Sequence, residues 1–228
     1  GSKTLQHSIN SSRNTAIGYS ALNNQQSGDR NTAIGTFAMS GNKIGRKNIA
    51  IGFDTMMSLQ EGQDNIALGN QALISVTNVK NQIAIGPNAM AGSSHTGDTP
   101  NIGIGKVSLY YNTTGANNVG LGGNSLYKNT TGERNIGIGM NTLSQNQTQS
   151  DNIAIGNNAI GGYGLTGGNN IGIGTNSLYY NTGTANIALG NNALYKNSTG
   201  ITNVAIGNNA LNATQTINGL IGIGPNAG

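Results

Sequence analysis

The sequence predicts an all-β fold, a parallel β-roll or β-solenoid of about thirteen 17-residue coils. Three observations predict it. First, a short string, Asn-(Thr/Ile/Val)-(Ala/Gly)-(Ile/Leu)-Gly, recurs and ends at Gly18, Gly35, Gly52, Gly69, Gly86, Gly105, Gly122, Gly139, Gly156, Gly174, Gly190, Gly207 and Gly224. Successive spacings are 17, 17, 17, 17, 19, 17, 17, 17, 18, 16, 17 and 17, which leaves no room for a second domain. Second, 37 glycines, two Phe, no Trp, no Cys and 8% charged residues supply too little bulky apolar material for a wide core. Third, Ile is abundant and regularly placed, whereas disordered Gly-rich chains are poor in β-branched residues.

The coil can be taken column by column. The residue three before each Gly is β-branched throughout (Thr15, Thr32, Ile49, Ile66, Ile83, Ile102, Val119, Ile136, Ile153, Ile171, Ile187, Val204, Ile221), and the residue before the Gly is always Ile or Leu. β-Branching favours the strand, and positions two apart point to one face, so this pair is expected to form the core face. Between them lies a residue that is only Ala or Gly: Ala16, Ala33, Ala50, Ala67, Ala84, Gly103, Gly120, Gly137, Ala154, Gly172, Ala188, Ala205 and Gly222. It points the other way, and its small size implies close packing, against either a neighbouring chain or a tight turn of the same chain.

After the Gly comes a second half-repeat such as Asn191-Asn192-Ala193-Leu194. Gly and Asn tolerate positive φ and suit a corner. The small residue and the Leu, Met or Ile that follow predict a second short strand supplying a third core side chain. A polar return loop, such as 112–115 or 129–132, closes the coil. Stacked strands lie about 4.8 Å apart, so thirteen coils would make a rod on the order of 60 Å long. A lone coil buries too little to fold, and neighbour packing must supply the rest. Asn precedes the β-branched residue in every copy except at Gln82 and Leu220, so an amide ladder from coil to coil is expected.

Gly1-Ser2 reads as a cloning scar and 1–13 as a lead-in or cap. Residues 14–228 read as one continuous array that stops at 226–228 where the column calls for Leu, as expected for part of a longer fibre.

Strings such as 48–52 (NIAIG) and 152–159 (NIAIGNNA) resemble the head repeats of YadA-like trimeric autotransporter adhesins. Residues 14–22 (NTAIGYSAL) are similar to the longer repeats of phage-tail-fibre-like bacterial proteins. The resemblance covers 14–227. It implies a left-handed roll, a homotrimer with the Ala/Gly column at the contact between chains, attachment to a cell surface or host, and an extracellular, cell-surface or phage-tail-like location. The repeat is longer than the usual YadA-like one, and no neck, stalk or anchor pattern accompanies it.

Few residues carry chemistry. The formal charge of +4 is scattered, apart from Lys43, Arg46 and Lys47, so no nucleic-acid partner is expected. No apolar run is long enough to span a bilayer. His7 and His95 lie in unlike contexts and the seven acidic residues are dispersed, so neither catalysis nor a metal nor a cofactor is expected. Gly103-Ile104-Gly105 and Gly172-Ile173-Gly174 are repeat columns and lack the third Gly of a dinucleotide loop.

The candidate ligand-binding residues are aromatic or lie where the period breaks. Tyr110, Tyr127, Tyr179 and Tyr195 share the column after the core Leu, with Tyr111 and Tyr180 next to two of them. Such rings suit stacking on sugars, or a stack that supports adjacent coils. The longer spacings create loops at 91–100, with His95, and at 161–169, with Tyr163. A surface glycan or an envelope or matrix component is the expected partner. Arg13, Arg30 and Lys47 share one column, as a basic strip or a solvated face. The rival from another class is an ice-binding β-solenoid, which would favour a Thr array; the β-branched column has Thr only at Thr15 and Thr32.

Overall fold

The computed structural model describes residues 2–7, 9–92, 96–162 and 167–228. The chain forms two compact units, 1–114 and 115–228. Neither contains a helix among the described residues.

The first unit carries β1 (Thr15–Ile17), β2 (Thr32–Ile34), β3 (Ile49–Ile51), β4 (Ile66–Leu68), β5 (Asn78–Val79), β6 (Gln82–Ile85), β7 (Thr96–Gly97) and β8 (Asn101–Ile104). Its main sheet runs β1-β2-β3-β4-β6-β8, and β5 pairs separately with β7. The second unit carries β9 (Val119–Leu121), β10 (Ile136–Ile138), β11 (Ile153–Ile155), β12 (Ile171–Ile173), β13 (Ile187–Leu189), β14 (Val204–Ile206) and β15 (Ile221–Ile223), paired in chain order. Pairing within each unit is parallel and joins like columns: Ile136 faces Ile153, Gly137 faces Ala154, and Ile138 faces Ile155. Each unit is therefore a parallel β-solenoid in which the 17-residue period is one turn.

Strand alternation is as expected, but the buried face is the other one. Ala33, Ala50, Ala67, Ala84, Ala154, Ala188 and Ala205 are fully buried within the single chain. Gly103, Gly120, Gly137, Gly172 and Gly222 are buried with them, and only Ala16 is half-buried. This corrects the assignment of the Ala/Gly column to a contact between chains: its side chains point into the coil that carries them. The reason is width. The Leu, Met or Ile of the turn half already fills the coil, and a Cβ on Gly172 would lie 2.9 Å from Ile160 Cγ1, one on Gly222 2.8 Å from Leu211 Cγ. Only Ala or Gly fits opposite.

The β-branched and Ile/Leu columns consequently face outward. Ile49, Ile51, Ile138, Ile173 and Ile206 keep 38–39% of their surface exposed.

The second half-repeat is a run of turns, not a strand. The core residues Leu22, Met39, Met56, Leu73, Met90, Leu109, Leu126, Leu143, Ile160, Leu178, Leu194 and Leu211 all stand at positive φ, as do residues two before them such as Asn192 (φ 54°, with Leu194 at 50°). For a non-glycine residue that conformation costs roughly 1–2 kcal/mol. Full burial of a Leu or Met contributes about 1.5–3 kcal/mol, so burial wins. Alternating handedness also sends successive donors to opposite neighbours: Leu194 N–H donates to Ala210 O in the next coil (3.0 Å), Asn192 N–H to Thr175 O in the previous one (2.9 Å).

The corner glycine is required twice over. Gly35 stands at φ +136°, and a Cβ there would collide with the carbonyl oxygen of Gly52 one coil on.

The amide ladder is present. Asn48 Oδ1 accepts from the backbone N–H of Asn65 (3.1 Å) and from its Nδ2 (2.9 Å), while Asn65 Nδ2 also donates to Val79 O (2.8 Å). A second buried ladder follows the core residue by three positions, with Asn146 Nδ2 donating to Asn129 Oδ1 (2.9 Å) and Asn197 Nδ2 to Asn181 Oδ1 (2.6 Å).

Candidate functional site

The residues the sequence singled out fall into separate places. In the first unit Tyr110 and Tyr111 meet edge-on with ring centroids 4.8 Å apart. Tyr110 lies over Gly92, where any Cβ would strike its ring. In the second unit Tyr179, Tyr180 and Tyr195 form one cluster. Tyr179 stacks on Tyr195 from coil to coil (5.7 Å, interplanar 18°), and Tyr180 meets both edge-on, at 4.8 and 5.3 Å. Burial, followed by a hydrogen bond with Tyr180, raises the Tyr195 hydroxyl above its usual pKa. Tyr127 occupies the same column, half-buried. His95 and Tyr163 lie outside the described residues.

The Tyr column is interrupted. Between Tyr127 and Tyr179 it holds Ser144 and Gly161. Two missing rings leave an open cavity of about 220 Å³ lined by Asn141, Ser144, Gln145, Asn158, Gly161 and Tyr179. Ser144 Oγ donates to Gly161 O (3.2 Å) across its floor. Its rim belongs to an outer amide ladder, in which Asn124 Nδ2 donates to Asn141 Oδ1 (2.9 Å), Asn141 Nδ2 to Asn158 Oδ1 (3.1 Å), and Asn158 Nδ2 to Asn176 Oδ1 (3.2 Å). Sequence reasoning missed this cleft; the signal was the absence of Tyr at two successive column positions.

A larger open cavity of about 400 Å³ in the first unit is lined by His7, Ile9, Asn24, Gln26 and Lys43. No group of three or more His, Cys, Asp or Glu among the described residues is placed to hold a metal ion.

The column of Arg13, Arg30 and Lys47 is a solvated face of mixed sign. Lys47 reaches Asp64 one coil on (3.9 Å), and Arg30 reaches Asp29 (3.7 Å). In the second unit the same column pairs Arg134 with Asp151 through two bonds of 2.7 and 3.0 Å. That bond holds the Asp151 carboxyl below its ordinary range and the Arg134 guanidinium above its own.

The outer sheet face is exposed along its aliphatic columns. In the second unit alone, seven strands present two aliphatic columns as a strip on the order of 30 Å long.

No protein-family model matches this chain, and neither does a curated protein or a solved structure.

Proposed function

We propose that this chain is a non-catalytic fibre or adhesin segment that associates as a homotrimer and serves attachment to a cell surface or host, outside the cell or on a phage-tail-like particle. One observation carries the reading: within each unit aliphatic side chains stand outward in register on coil after coil, with Ile138, Ile173 and Ile206 of the second unit 38% exposed. A contiguous apolar strip of that kind marks a contact surface on a soluble protein. The contact between chains therefore belongs to the β-branched and Ile/Leu columns. The repeat resemblance supports three chains and a role in attachment.

The experiment is light scattering on a sizing column, with a variant that breaks the strip. Ile136→Lys, Ile153→Glu and Ile171→Lys together place opposite charges on facing strand positions, so each unit keeps its cross-strand attraction. The variant should run as a single chain with an unchanged β-type circular dichroism spectrum. A variant that keeps the parent's mass removes the outer strip from the contact.

The same outward columns also present β-branched side chains to water at regular spacing, the property an ice-binding solenoid needs. Hydroxyls occur there only at Thr15 and Thr32. Thermal hysteresis in a solution of the purified protein would favour ice binding; freezing and melting at one temperature would eliminate it.

A further inference from the structure

We propose that the cleft at Ser144 and Gly161 binds a neutral pyranose ring, stacked on Tyr179 and hydrogen-bonded by the amides of Asn141 and Asn158. The proposal gives the attachment reading its ligand class and rests on that reading for its purpose, while its geometry lies wholly within residues 115–228.

Four properties of the cleft converge on this ligand. Among the described residues Tyr179 supplies an aromatic wall, and that wall is fixed in place: Tyr179 is held by the stacked ring of Tyr195 behind it and the edge of Tyr180 beside it. A preformed ring loses little freedom when a ligand settles on it. The remaining lining is carboxamide and hydroxyl, from Asn141, Ser144, Gln145 and Asn158. Within the outer ladder each of the two Asn side chains spends one amide hydrogen and one oxygen lone pair. A carboxamide has a second of each. The ladder thus fixes the orientation of both amides while their remaining donor and acceptor capacity can serve vicinal hydroxyls.

None of the described residues lining the cleft is charged, which disfavours an acidic sugar or a phosphate. Its volume, about 220 Å³, is below the usual 300–1,000 Å³ of sites for drug-sized ligands, and suits a single ring. The floor must stay low: a Cβ on Gly161 would approach Asn141 O to 2.7 Å and Asn158 O to 3.0 Å. A sugar ring combines an apolar C–H face with a hydroxyl-bearing edge, the two halves this cleft offers.

The test is a nuclear magnetic resonance titration of the whole chain with the methyl glycosides of glucose, galactose, mannose and N-acetylglucosamine, and with methyl sialoside as the acidic comparison. At least one neutral glycoside should saturate with millimolar affinity. Two variants read the site. Tyr179→Ala removes the wall. Ser144→Tyr refills the notch with the residue that the preceding coil carries at this column, Tyr127. Each should weaken binding at least tenfold.

Ser144→Tyr should leave circular dichroism and solution mass unchanged, which separates a failed ligand from a failed assembly. Saturation by a neutral glycoside that Ser144→Tyr abolishes upholds the proposal. It is overturned if no neutral glycoside saturates, if binding survives Ser144→Tyr, or if only the sialoside binds.

Discussion

Asn48 and Asn65 are joined twice through one atom: Asn48 Oδ1 accepts both the backbone N–H and the side-chain Nδ2 of Asn65, at 3.1 and 2.9 Å. Both residues are fully buried. The side-chain amide thus replaces a strand hydrogen bond at the point where the backbone turns, and the same two contacts recur between Asn31 and Asn48 and between Asn118 and Asn135.

Asn65→Ala should be costly for that reason. It leaves the Gln82 N–H without the Asn65 Oδ1 it donates to (3.0 Å), and it takes one of two donors from Val79 O, which keeps the Gln63 N–H (3.1 Å). Each buried polar group left unpaired costs about 1–3 kcal/mol. Denaturant unfolding should show a loss of about 1–3 kcal/mol; Asn124→Ala, in the exposed outer ladder, should lose under about 1 kcal/mol.

The inward Ala/Gly column predicts an asymmetry between adjacent residues. Ala154→Leu inserts bulk into a filled coil and should destabilise by about 1–3 kcal/mol. Ile155→Val, one residue on and outward, should change unfolding of the isolated chain by less than about 0.5 kcal/mol. Equal effects in urea titration would contradict the assignment of faces.

Glycines divide in the same way. Gly35→Ala meets both a forbidden φ and the Gly52 carbonyl, and should lower the melting temperature sharply. Gly123 has open space around its Cβ position and does not stand at positive φ, so Gly123→Ala should be neutral or slightly stabilising.

Period, parallel register and the main amide ladder were legible in the sequence because each is a statement about spacing. Alternation across Ile49-Ala50-Ile51 also separated two faces correctly. It could not say which face was inside, because that depends on how much room Met56 and its equivalents leave within the coil. The turn half was misread for a related reason: Leu at positive φ is unfavourable locally, and only burial in the finished coil outweighs it. The cleft between Tyr127 and Tyr179 is written as an interruption of a column, which matters only once the column is known to lie on the surface.

Two titrations follow, one from the Arg134–Asp151 contact and one from the burial of Tyr195. The lowered Asp151 carboxyl contributes stability above the ordinary Asp range near 3.8, and that contribution is lost as pH falls through its lower folded value. Arg134→Gln should therefore flatten the acid limb of the stability profile, by a small amount because the pair is exposed. The raised Tyr195 hydroxyl acts at the other end: stability is present below about 10 and falls as pH rises through the folded value. Tyr195→Phe should remove that alkaline decline, read by thermal melts between pH 9 and about 11.

The outward aliphatic columns are the centre of this account, and the molar mass in solution tests them most directly. Light scattering on the purified chain should give three times the 23.2 kDa of one chain, constant across a dilution series. A mass of one chain at every concentration would contradict it.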